Sequence, residues 1–191
     1  MGIDPGLQGA LAIYDDKTRR LVEVRDMPVY TIHGIKKANR TRVDGWQLLE
    51  YFELAKLMGV ELVLLEEVGG RPKQSAQHAF TFGYSVGLIY MACLSARIPI
   101  ETVSAATWKL QMKLPGKTQA NADARILERT LTVFPDDATM FYGVRGGVRI
   151  DRCEAAMLAK FCADRVLDGG RMRVRKYGLD DGELYRAALL D

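Results

Sequence analysis

Short apolar stretches separated by turn residues open the chain. Gly2 to Asp4, Gly9 to Tyr14 and Leu21 to Arg25 read as three strands, with turns at Pro5-Gly6 and Asp15-Asp16-Lys17. Residues 27 to 42 are polar and basic with no clear period and read as a loop. From Asp44 to Met58, Trp46, Leu49, Tyr51, Phe52, Leu54 and Leu57 give a broad apolar helical face, and Gly59 closes the helix. Glu61 to Val68 is an apolar run ending in paired acids, which suits a buried parallel strand. A long helix over Gln74 to Ala96, a strand over Ile98 to Val103 and a short helical piece over Ala105 to Met112 follow. Pro115-Gly116 breaks the chain before a helix from Gln119 to Val133. Residues 134 to 148 read as a Gly- and Arg-containing loop. A last strong helix runs from Ile150 to Leu167, and Gly169-Gly170 ends it.

Three antiparallel strands followed by alternating helix and strand predict a mixed α/β sheet with helices on both sides. A chain of 191 residues suffices for one domain with a substantial core. No repeat, low-complexity tract or interdomain linker interrupts it. The expected division is a main domain over 1–170 and a tail over 171–191, basic then acidic, that is part of the same domain or a short extra helix.

Composition narrows this picture only slightly. A net charge of +3 permits nucleic-acid binding without arguing for it. The positive charges do cluster: Lys36, Lys37, Arg40 and Arg42 form one group. Arg145, Arg149, Arg152, Arg171, Arg173, Arg175 and Lys176 flank two late acids. Cys93, Cys153 and Cys162 lack metal-site or disulfide spacing and read as buried thiols in a reducing cytoplasm. With only His33 and His78, a histidine-based metal site or triad is poorly supplied. No signal peptide is evident, and the apolar stretch from Tyr84 to Leu94 is too short to span a bilayer. Cytoplasm is the expected location, with an organelle stroma as the alternative.

The chemistry resides in carboxylates. Asp4 ends the first strand, Glu66 ends a buried apolar run, and Asp151 and Glu154 share a face of the last helix at i, i+3. That face lies within the apolar arc of Ile150, Met157, Leu158, Phe161, Cys162 and Val166. Adjacent carboxylates aimed at a core repel and desolvate unless cations compensate them, and a bound divalent metal does so. The competing readings are an Asp-Pro-Gly turn for Asp4, a solvated strand end for Glu66, and an acidic first turn paired with arginines for Asp151 and Glu154. Oxygen-only donors suit Mg²⁺ or Mn²⁺. Two such ions about 4 Å apart activate water and stabilise the leaving oxygen of a phosphodiester. The Gly6-Leu7-Gln8-Gly9 segment lacks a phosphate-loop pattern and reads as a tight turn.

The residues Gly2-Ile3-Asp4-Pro5-Gly6, Leu65-Glu66-Glu67-Val68, Phe80-Thr81-Phe82-Gly83 with Gly87, Thr107-Trp108-Lys109, Gly116-Lys117 and Asp151-Arg152-Cys153-Glu154-Ala155 form an ordered set. In that order the chain resembles the RuvC family of Holliday-junction resolvases, and more closely its compact phage and chloroplast branch. The resemblance implies an RNase H-like fold with a mixed five-stranded sheet, a homodimer, and Mg²⁺-dependent nicking of branched DNA. It implies Asp4, Glu66, Asp151 and Glu154 as ligands of two Mg²⁺ ions, for which Mn²⁺ substitutes, and Lys117 as a lysine near the scissile phosphate. Glu66 rather than Glu67 is the match, and Leu62, Leu64 and Glu66 share one face of a strand. Lys109, Lys117, Arg71, Lys73 and Arg149 are candidate DNA contacts, each weighed against an ordinary solvated cation.

Three features depart from the family. Only three residues precede Asp4, which makes the first strand short or places the true start upstream. Gly69 stands where many members carry a junction-opening aromatic, and Gly69-Gly70-Arg71-Pro72 replaces that segment with a basic loop. Among the aromatics, Trp46 and Trp108 read as core residues, and Phe80, Phe82, Tyr84 and Tyr90 as core or dimer contacts. Gly83 and Gly87 permit close approach of a partner helix or of the sheet. The rival functions are an RNase H-like nuclease for RNA, flaps or forks, a non-catalytic branched-DNA-binding module, and an actin-like nucleotide-binding fragment.

Overall fold

A computed structural model describes residues 1–33, 40–67, 75–116 and 119–167. The strands of its main sheet are β1 (Gly2–Asp4), β2 (Ala10–Asp15), β3 (Arg20–Asp26), β6 (Val63–Glu67) and β7 (Ile100–Ser104). Their order across the sheet is β3-β2-β1-β6-β7. β1 is central, antiparallel to β2 and parallel to β6, and β6 runs parallel to β7. The expected mixed five-stranded sheet flanked by helices is therefore the observed one.

Strand alternation divides the core between two faces. Ile3, Leu11, Ile13, Val63 and Leu65 pack against α1 (Gly45–Leu57) and α2 (Ala76–Ser95) through Leu48, Phe52, Ile89 and Cys93. Ala10, Ala12, Leu64 and Val103 face α5 (Ile150–Leu167), with Trp108 of α3 (Ala105–Gln111) and Ile126 of α4 (Ala122–Val133) in the same cluster. Asp44, Ser75 and Ser104 start α1, α2 and α3 by accepting backbone N–H groups, as short polar caps do.

The loop reading of residues 27 to 42 is corrected. A separate antiparallel pair, β4 (Val29–Ile32) with β5 (Arg40–Val43), occupies its described part. β4 is exposed at every position, so no half-buried alternation marked it. A 3-10 helix (Pro135–Phe141) likewise occupies the front of the expected loop at 134 to 148. Trp46 is corrected too: it is 79% exposed in the first turn of α1, whereas Trp108 is fully buried. Val166, placed in the apolar arc of the last helix, is also exposed. Burial pushes the thiols of Cys93 and Cys153 up to about 12, so both stay protonated and inert. Among the described residues no helix is long and apolar enough to cross a membrane. The tail, Arg71, Lys73 and Lys117 lie outside the described residues.

Backbone proximity sets how α5 lies on the sheet. A Cβ at Gly2 would stand 2.3 Å from the Ala159 nitrogen and 2.5 Å from the Ala155 oxygen. Only glycine allows this contact, because the obstacle is helix backbone that cannot rotate away. Gly2→Ala is expected to destabilise the fold by at least about 1–3 kcal/mol, the usual cost of overpacking. Urea unfolding of the two proteins, followed by circular dichroism, measures that difference.

Candidate metal centre

Asp4 leaves the sheet at the end of β1. The register pairs Ile3 with Leu65, so Glu66 on the parallel neighbour comes level with Asp4. Both side chains project to the α5 face, since Asp4 pairs with Ala10 and Glu66 with Val103. Glu67 is exposed, and strand alternation turns it to the other face. Glu154, in the second turn of α5, completes a cluster whose carboxylate oxygens lie within 4.8 Å of one another. Exposure is 6% for Asp4, 6% for Glu66 and 1% for Glu154, so water cannot carry the solvation of these groups.

Two neighbours on α3 meet this cluster. The Trp108 indole N–H donates to Glu66 Oε2 at 2.8 Å, and the Lys109 ammonium donates to Glu154 Oε1 at 2.7 Å. Trp108 is thus a core residue with a polar task. Lys109, a candidate DNA contact weighed against a solvated lysine, has a side chain that is 7% exposed and directs its charge inward to Glu154. Asp151 lies half-buried in the first turn of α5 and does not join the three-carboxylate cluster. Sequence reading placed four acids together; the structure brings three of them within ligand distance of one another.

The donor set fits a hard divalent cation. Oxygens on opposite sides of an octahedral Mg²⁺ with bonds of about 2.1 Å stand about 4.2 Å apart, close to the span of this cluster. Three ionised carboxylates against one ammonium leave two negative charges in excess, and a dication balances them. Asp4, Glu66 and Glu154 are the residues able to hold it.

A clamp beside the cluster escaped the sequence reading. Ala10 pairs with both Asp4 and Asp26, which puts Asp26 on the same face two strands away from Asp4. Arg152 donates to both oxygens of Asp26, at 2.7 and 3.1 Å, and to the carbonyls of Met140 and Tyr142. Arg149 joins through a 3.3 Å ion pair and remains 38% exposed. The clamp ties the start of α5 to β3. The only sequence signal was an aspartate ending a strand, as Asp4 does, matched to arginines over a hundred residues away.

The Arg152 hydrogen bond holds the Asp26 carboxyl below its usual range, against the opposing effect of burial, and the charges of Arg152 and Arg149 add to it. A depressed folded-state value means the stabilisation is complete above the unfolded value, about 3.9, and is lost as pH falls through the lower folded one. With Asp26 39% exposed, the pair contributes only about 0.2–1 kcal/mol. An NMR titration is expected to place the Asp26 midpoint below about 3.9, and Arg152→Gln should raise it.

No family model matches the chain, and no curated protein matches it either. Solved structures do. A structure of T. thermophilus RuvC in complex with Holliday junction substrate aligns with a TM-score of 0.52 at 14% identity, covering 88% of this chain and 94% of that one. A second Thermus thermophilus RuvC structure aligns with a TM-score of 0.48 at 17% identity, covering 86% and 95%. The likeness reaches the architecture and not the phage or chloroplast branch. This chain has the RuvC-like form of the RNase H-like fold.

Proposed function

We propose that this protein is a divalent-metal-dependent, structure-selective endonuclease that resolves four-way DNA junctions by paired nicking. The reading rests on one observation above all: the buried cluster of Asp4, Glu66 and Glu154, carried by a fold shared over most of its length with a RuvC seen on a junction. A likeness at 14% identity supports the architecture alone, and the carboxylates supply the reason to assign chemistry to it.

Asp4, Glu66 and Glu154 would hold Mg²⁺, or Mn²⁺ in its place, with Asp4 shared between two ions and Asp151 completing the second position from the rim. Bound there, the ions would supply an activated water and charge stabilisation at the leaving oxygen, the chemistry that two-metal sites bring to phosphodiesters. The protein's own part is to exclude bulk water and fix the ligands before the substrate arrives. Lys117 would hold the scissile phosphate, while Arg71, Lys73 and Arg149 would take backbone phosphates without reading bases. In-line displacement leaves 5′-phosphate and 3′-hydroxyl ends.

Paired nicks call for two sites related by a twofold axis, and a homodimer supplies them. The outer faces of α1 and α2 support one. Trp46, Leu57, Phe80 and Met91 are 79, 84, 70 and 59% exposed. A groove of about 620 Å³ between Tyr30, Trp46, Leu49, Tyr84, Leu88 and Met91 lies on the same side. Gly83 and Gly87 face open space rather than the sheet, which suits the partner-helix reading of that pair.

Purified protein with an immobile four-way junction, linear duplex, a flap and an RNA–DNA hybrid, in Mg²⁺ or EDTA, tests the reading. Paired nicks confined to the junction are expected, abolished by EDTA and reduced at least a hundredfold by Asp4→Asn. Equal cutting of the other substrates would transfer the activity to a broader nuclease, and junction binding without cutting would leave a binding module. Sedimentation should give twice the 21.3 kDa chain mass, and Met91→Glu should shift it toward the monomer.

A further inference from the structure

The three carboxylates come from β1, β6 and α5, yet two of them are met by consecutive residues of a fourth element. Trp108 and Lys109 differ by about 100° around α3, so one short helix reaches Glu66 on the sheet and Glu154 on α5 at once. Both side chains are themselves buried, Trp108 fully and Lys109 all but 7%. An indole N–H out of water needs an acceptor, and an ammonium out of water needs a counter-charge. Each requirement is met at a carboxylate of the cluster. Ser104 Oγ accepts the Thr107 N–H and starts α3 directly from the end of β7, the strand paired with β6. The helix therefore follows any displacement of the strand that carries Glu66.

We propose that Trp108 and Lys109 are the positioning residues of the metal centre, with opposite effects on the affinity for a divalent cation. Trp108 fixes one oxygen of Glu66 and so confines the carboxylate to a single orientation. Lys109 is a place-holding cation: it balances Glu154 within the protein and yields that carboxylate when a dication arrives. Removing the indole donor leaves Glu66 to rotate and weakens metal binding, as loss of an outer hydrogen bond to a ligand usually does. Removing the ammonium deletes a positive charge next to the ion and tightens binding. A scaffold role alone predicts no such difference in sign.

The inference rests on the metal-nuclease reading, and calorimetric titration of Mn²⁺ alone separates the two. Against the wild-type protein, Trp108→Phe should bind Mn²⁺ about 10–100-fold more weakly. Lys109→Met should bind about tenfold more tightly or better, while unfolding at a lower temperature than wild type when no metal is present. Affinity unchanged in both variants, or shifted the same way in both, overturns the proposal and leaves the nuclease reading standing. Failure of the wild type to bind millimolar Mn²⁺ or Mg²⁺ overturns both. A measurement on the unaltered protein covers the case in which Trp108→Phe does not fold. On ¹⁵N-tryptophan-labelled protein, Mg²⁺ should move the Trp108 indole resonance, which touches Glu66, and leave that of exposed Trp46 in place. An unmoved Trp108 resonance at saturating Mg²⁺ overturns the role given to Trp108.

Discussion

The contact between Gly2 and the backbone of α5 is the constraint from which the rest of the site follows. Ala155 and Ala159 lie so close to β1 that no side chain fits at residue 2. Glu154 immediately precedes Ala155, and Asp4 is two residues beyond Gly2 on the same face of the strand. Pressing helix against strand at these small residues therefore brings the two carboxylates together. The seven consecutive buried residues from Cys153 to Ala159 show what surrounds that contact: the sheet on one side, α4 and the 3-10 helix on others. A helix enclosed in this way has no freedom to carry Glu154 elsewhere.

Enclosure has an electrostatic cost. Carboxylates at 1–6% exposure are stable as anions only if the protein or a ligand supplies compensating charge and donors. The interior supplies an ammonium and an indole N–H, and the clamp of Arg149 and Arg152 on Asp26 adds positive charge at the rim. Such an assembly is less stable than an apolar core of the same volume would be, and its excess negative charge would favour a hard dication over a monovalent ion. Fold and site thus oppose each other at these residues, where local rules of burial give way to function.

Much of this was legible in the chain. The strand-turn-strand opening and the five helices of the described residues followed from local pattern, because each depends on neighbours in sequence, whereas Glu66 was preferred to Glu67 through the family resemblance, with strand alternation in agreement. What failed depended on tertiary contacts. Trp46 and Trp108 are equally apolar, and only the packing of α1 and α3 decides that one faces solvent and the other an acid. Lys109 looked like any helical lysine, since a buried ion pair across forty-five residues leaves no local trace. Asp151 and Glu154 share a helical face, but the start of a helix is more open than its second turn, and this separates a half-buried acid from a fully buried one. β4 went unseen because a strand exposed on both sides lacks the alternation that reveals a half-buried one.

The two faces of the sheet also divide the labour of the proposed enzyme. The carboxylates project from the face that α5 covers, whereas α1 and α2, with their exposed apolar side chains, cover the opposite one. A dimer formed through α1 and α2 would bury nothing at the metal centre and would turn the two centres outward, away from the twofold axis. Branched DNA could then engage each centre by a separate strand without the subunits having to part. On the proposed reading, the exposed Trp46 and Leu57 would lie on the face where association does not compete with the metal centre.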